Sequence, residues 1–145
     1  MLKILQIFNY YQPDFTGEGI YFEKIEKLFR RDGISSEVLV MRTRTPAKTD
    51  AADCHGLPVT YLGLTNKSAP LQSLYLACWL VRNLRRYDIV HFHAPTDRYF
   101  ATYILSALFG VRVMQSCTLN DSPDNVLRSY NPKVRWFIVR LLRLV

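Results

Sequence analysis

Residues 1–40 read MLKILQIFNYYQPDFTGEGIYFEKIEKLFRRDGISSEVLV, and the order of patterns within them decides the fold. Residues 2–8 form an apolar run interrupted by Lys3 and Gln6, suited to a strand buried on both faces. A loop follows over residues 9–17, marked by asparagine, proline and glycine. Tyr21, Ile25, Leu28 and Phe29 then recur at helical spacing, and Gly33 stands where a helix C-terminal glycine belongs. Residues 38–41, Val-Leu-Val-Met, make a second strand. Two strands joined through a helix lie parallel, because the crossover must return the chain to the same end of the sheet.

The same alternation runs through the rest of the chain. A polar stretch at 42–56 has no apolar period, and residues 59–62 make a third short strand. Leu71, Leu74, Tyr75, Cys78 and Val81 mark a helix ending near Arg86. Residues 88–92 are a fourth strand with an exit loop at 93–97. Phe100, Tyr103, Ile104, Ala107 and Leu108 mark a helix closed by Gly110. Residues 111–116 are a fifth strand, 117–125 a polar loop, and 134–145 an amphipathic pattern that is still running at Val145. The expected fold is α/β: a Rossmann-like parallel sheet flanked by helices. Because the last helix breaks off, the chain reads as one domain of a larger protein.

Composition narrows the class. With 49% hydrophobic and 21% charged residues, the chain is ordinary globular protein of one-domain size. No secretory signal and no apolar run long enough to span a bilayer is present, so a cytoplasmic protein is expected. Cys54, Cys78 and Cys117 lack C-x-x-C spacing and read as reduced thiols. Residues 1–53 hold eight acids and eight bases, so the net charge of +7 resides entirely in residues 54–145. That asymmetry suits an anionic partner. The basic half lacks the interleaved motifs of a nucleic-acid reader, so nucleic acid is not expected.

In parallel α/β sheets ligands sit outside the carboxyl ends of the strands, which selects three loops. In the first, Thr16-Gly17-Glu18-Gly19 opens a helix, where backbone N–H groups and the helix dipole attract an anion. The plainer alternative is a tight turn. A dinucleotide fingerprint would need glycine at Phe22 and an acid near Met41 and Arg42, so a nicotinamide or flavin enzyme is disfavoured. In the second, His91 and His93 share one face of a strand. They lack a third metal ligand, which leaves His91 as a hydrogen-bonded core residue and His93 as the candidate ligand contact. The third loop, residues 116–124, offers hydroxyls, an amide and two carboxylates, equally suited to sugar hydroxyls and to ordinary turns and caps.

These three loops, in this order, resemble the N-terminal domain of GT-B fold glycosyltransferases of family 4. The stretches that carry the resemblance are residues 1–40, YDIVHFHAP (87–95) and GVRVMQSCTLNDSPD (110–124). The family's glycine loop maps onto Gly17 and Gly19, with Glu18 separating glycines that are usually adjacent. Thr118 occupies the position where many members carry a histidine, so that histidine's role does not transfer, and the catalytic residues stay unassigned.

The resemblance implies a retaining, hexosyltransferase-type enzyme that uses a nucleotide-sugar donor as co-substrate, with no other cofactor and no metal. The acceptor would be a sugar or lipid-linked sugar, in envelope or exopolysaccharide synthesis. Thr16, Gly17 and Gly19 would face the donor diphosphate, and His93, Thr118, Asn120 and Asp121 would line the acceptor side. The donor-binding C-terminal domain would lie outside residues 1–145, leaving this piece inactive alone. The basic and apolar residues of 133–145 suit peripheral contact with an anionic membrane, though a packing helix with outward arginines is the plainer reading. A non-catalytic module that recruits a partner chain or a membrane is the alternative function.

Overall fold

The computed structural model describes residues 1–12, 14, 16–44, 56–93 and 100–116. Five strands form one sheet: β1 (Lys3–Phe8), β2 (Ser35–Val40), β3 (Val59–Tyr61), β4 (Ile89–Phe92) and β5 (Arg112–Gln115). All are parallel, in the order β3-β2-β1-β4-β5. Helices α1 (Gly17–Arg31), α2 (Ala69–Asn83) and α3 (Phe100–Phe109) connect them, with a short 3-10 turn at Leu84–Arg86. The α/β Rossmann-like architecture expected from the alternation is therefore the one observed.

The sheet is buried on both sides, as a parallel sheet must be. Leu5, Ile7, Leu39, Met41, Val90 and Phe92 pack with Leu76, Leu80 and Leu84 and with Tyr103 of α3. On the opposite face Phe8, Val38, Val40 and Val59 pack with Tyr11 and with Phe22 of α1. Gly33, at φ 73°, takes the left-handed conformation that ends α1, and Gly110, at φ 68°, does the same after α3.

Two expectations shift. β2 begins at Ser35, three residues before its apolar run, because Ser35 to Val40 pair in register with Lys3 to Phe8. The apolar stripes that marked the helices also lie largely outward. Tyr21 is 55% exposed, Leu74 58% and Leu108 75%. The buried faces are instead Gly19-Phe22-Glu26 and Gln72-Leu76-Leu80, with Thr102, Tyr103 and Ser106 on α3. Small and polar residues sit inward where helices approach closely or where a side chain ties down a loop. Gln72 is such a case: its amide donates to Leu64 O (2.9 Å) and Lys67 O (2.7 Å). Cys78 is an exposed free thiol on α2. No helix of the described residues is long and apolar enough to cross a membrane. The expected helix at 134–145, with its basic residues, Cys54 and Cys117, lies outside the described residues.

Candidate functional site

Strand order reverses at β1: the chain leaves it toward β2 and β3, then returns to place β4 and β5 on its other side. The carboxyl ends of β1 and β4 are therefore the switch point at which parallel α/β sheets place a ligand. Both candidate loops with described residues meet at this point.

On the β1 side, Thr16 caps α1. Its backbone is extended (φ −132°, ψ 147°) and its Oγ1 accepts from Gly19 N at 3.1 Å. The same hydroxyl donates to Tyr10 O at 3.5 Å. The Gly19 amide is thus committed to the cap. A Cβ on Gly19 would stand 3.1 Å from Thr16 Oγ1 and 3.3 Å from the Tyr11 ring, whereas one on Gly17 would meet nothing. The exposed first-turn glycine is Gly17, and Gly19 permits the close packing of Tyr11.

This contrast makes a prediction. Gly19→Ala is expected to destabilise the fold by about 1–2 kcal/mol, since Tyr11 is fully buried and has no room to yield. Gly17→Ala should be neutral or stabilising by up to about 1 kcal/mol through helix propensity. Urea melts of the two variants check this; equal effects would contradict the packing role.

On the β4 side, four polar side chains cross the sheet beneath α1. Gln6 on β1 is the register partner of His91 on β4. His93 Nε2 lies 2.8 Å from Gln6 Oε1; with that carbonyl oxygen accepting, His93 carries a proton on Nε2. His91 Nε2 and Ser116 Oγ share a 2.6 Å hydrogen bond. The two imidazoles sit 4.2 Å apart, centroid to centroid. His93 also stacks on Phe8 (3.9 Å, 10° between planes) and meets the edge of Phe22 at 5.5 Å. An aromatic wedge of Phe8, Tyr11 and Phe22 thereby connects the glycine loop to the end of β4.

Electrostatics follow from burial. His91 is 6% exposed and His93 1%. Burial pushes the His91 imidazole down to about 4. Burial, and then the charge His91 would carry, push His93 down to about 3. Both rings are neutral at pH 7 and too weakly basic to serve as general bases there. They suit hydrogen bonding and support. His93, expected at an acceptor contact, is enclosed by Phe8, Phe22 and Gln6 just past the end of β4. Among the described residues no three metal-capable side chains cluster.

Thr118, Asn120 and Asp121 lie outside the described residues, so Thr16, Gly17, Gly19 and His93 are the site candidates with a described position. Sequence reasoning missed Gln6 and Ser116 as partners of the histidines. The available signal was polarity: Gln6 is the one polar residue in a stretch buried from Ile4 to Phe8. Its pairing with His91 needed the strand order.

No family model and no curated sequence matches the chain. In fold it is similar to a glycosyltransferase from Rickettsia africae ESF-5, with a TM-score of 0.57 and 16% identity over 90% of this chain. It is also similar to MurG of Acinetobacter baumannii, with a TM-score of 0.53 and 12% identity over 79% of this chain. The chain spans 34% of the length of each. The C-terminal domain of a Pyrococcus furiosus hydrogenase is similar too, at TM-score 0.51 and 16% identity, covering 80% of this chain and 91% of that domain. At such identities the likeness concerns the fold.

Proposed function

We propose that the chain is the acceptor-side α/β domain of a glycosyltransferase. In this reading a nucleotide-sugar supplies a hexosyl group that is transferred with retention to a sugar or lipid-linked acceptor, in envelope or exopolysaccharide synthesis at the cytoplasmic side of a membrane. The observation that carries the reading is the likeness over 90% of the chain to a glycosyltransferase. The open start of α1 at the β1/β4 switch point agrees with it. Gly17 and the cap at Thr16 offer a positive helix terminus to a donor diphosphate. Gly19 shapes that turn. His93 braces the end of β4, and Thr118, Asn120 and Asp121 contact the acceptor. The donor-binding groups belong to a second domain.

The test is nucleotide release. The complete open reading frame encoding this chain is expressed and incubated with a panel of UDP-, GDP- and ADP-sugars. Hydrolysis or transfer of at least one is expected, while residues 1–145 alone should turn over none. An inert full product that no nucleotide-sugar stabilises against heat would remove the reading. Turnover by residues 1–145 alone would remove the acceptor-side assignment.

A second reading, a non-catalytic module that recruits a partner chain or an anionic membrane, is favoured by one observation. The chain covers nearly the whole of the hydrogenase domain, at 91%. Capture of a defined partner by a product without transferase activity would support it.

A further inference from the structure

Beside the glycine loop, just past the end of β2, two arginines lie over one tyrosine. The Arg42 guanidinium is 5.6 Å from the centroid of Tyr10, and that of Arg44 is 4.9 Å from it. Each is within cation–π range. Among the described residues neither guanidinium has a carboxylate ion-pair partner, and Arg42 Nε is buried without a hydrogen bond. Burying an arginine N–H unpaired costs free energy, and so does holding two like charges against one ring.

The backbone that holds them is tied at every residue. Arg42 N donates to Asn9 O at 2.9 Å. Thr43 N donates to Thr65 Oγ1 at 3.0 Å, and that hydroxyl donates back to Thr43 O at 2.6 Å. Arg44 N donates to Asp14 Oδ2 at 2.7 Å, which commits that carboxylate oxygen to the backbone. The loop bearing Thr65 is in turn held by Gln72, through Leu64 O and Lys67 O. A basic segment fixed this firmly is preorganised to receive an anion and loses little entropy on binding it.

The start of α1 adds to the field, against which the Asp14 carboxylate and Glu18 of the first turn act. Thr16, the cap of α1, donates to the carbonyl of Tyr10 itself, so the positive helix terminus adjoins the arginine pair. Two guanidiniums offer two planar forks and a double positive charge. A phosphate monoester, with three oxygens and close to two negative charges at pH 7, matches that better than a carboxylate with one.

We propose that Arg42, Arg44 and Tyr10 form a phosphate-binding subsite at the carboxyl edge of the sheet, and that the acceptor is phosphate-bearing. The assignment of the phosphate to the acceptor rests on the glycosyltransferase reading; the subsite itself does not.

The experiment is titration of the 145-residue chain, followed by amide chemical shifts and calorimetry, with α-D-glucose 1-phosphate, glucose and glucuronate. Vesicles of phosphatidic acid, whose headgroup is a phosphate monoester, or of phosphatidylcholine form a further arm. Glucose 1-phosphate should move the amides of Tyr10, Arg42 and Arg44, and glucose should not. R42Q/R44Q should weaken binding by about tenfold or more, R42K/R44K by less, and K24Q/K27Q on α1 not at all. Saturation by phosphatidic acid vesicles that R42Q/R44Q weakens, without glucose 1-phosphate binding, would support the site and place the phosphate on a lipid. No shift with either probe, unchanged affinity in R42Q/R44Q, or binding of glucuronate as tight as that of the phosphate would overturn it. Phosphate binding by a product that transfers no sugar would remove the proposed activity and keep the subsite; transfer without phosphate binding would do the reverse.

Discussion

Phe8→Ala is expected to lower stability by about 3–5 kcal/mol, the range for truncating a fully buried phenylalanine. The side chain is 0% exposed. Its ring lies 3.9 Å from His93, 4.9 Å from Tyr11 and 5.4 Å from Phe22. Those three partners come from the residue after β4, the glycine loop and α1, so the cavity would open where the halves of the sheet meet and no single element could close it. Domains of this size have about 5–15 kcal/mol in total, so the loss should lower Tm by roughly 10 °C or more. Water entering beside His93 should also raise its pKa toward the ordinary 6.5, which an NMR titration of the imidazole reads directly. Phe8→Leu, which keeps most of the volume, should lose only about 1–2 kcal/mol. A Phe8→Ala variant within about 1 kcal/mol of the parent would show that the wedge does not hold the halves of the sheet together.

The second large effect is acid sensitivity. His91 and His93 have folded-state pKa values of about 4 and about 3, both below the unfolded value of 6.5. Above pH 6.5 neither state binds the extra protons and stability is complete. As pH falls through the window from 6.5 toward 4 and then 3, the unfolded chain takes up protons that the folded chain refuses, and stability is lost. Each histidine costs up to about 1.4 kcal/mol per pH unit there. The pair should therefore cost on the order of 3 kcal/mol between pH 7 and pH 5, before most carboxylates titrate. Urea midpoints at pH 7, 6 and 5 check this, with the slope expected to flatten in H91Q/H93Q. A midpoint constant across that range would show that the two rings protonate in place.

The alternation of strands and helices was legible because it is written in local periods. Short apolar runs at residues 2–8 and 88–92 can be little but buried strands, and Gly33 and Gly110 mark helix ends by a backbone requirement that acts on single residues. Which face of each helix turns inward was not legible. α2 carries apolar residues all round, so Leu74 and Leu76 look alike in sequence, yet one is 58% exposed and the other 0%. Only contact with the sheet separates them. The site divides in the same way. The glycine loop announces itself through Thr16, Gly17 and Gly19, but the partners Gln6, His91, His93 and Ser116 come from β1, β4 and the residues just past β4 and β5, and meet only once β1 lies between β2 and β4. Arg42 and Arg44 fall in a stretch that read as an uneventful polar loop. Their significance depends on Tyr10, some thirty positions earlier, and on Thr65, some twenty later.

The central place of β1 has a consequence for synthesis on the ribosome. Of the five strands β1 is translated before the others, and β2 can cover one of its edges early. The other edge must wait for β4: Lys3 N donates to Asp88 Oδ2 across 85 residues of chain, and Ile4 to Ile7 pair with Ile89 to Phe92. At translation rates of about 5–20 residues per second, that edge stays open on the emerging chain for on the order of ten seconds. Throughout that interval Leu5 and Ile7 lie beside unpaired backbone, a natural template for aggregation. The same strand that organises the finished sheet is thus the one most in need of a chaperone while the chain is being made.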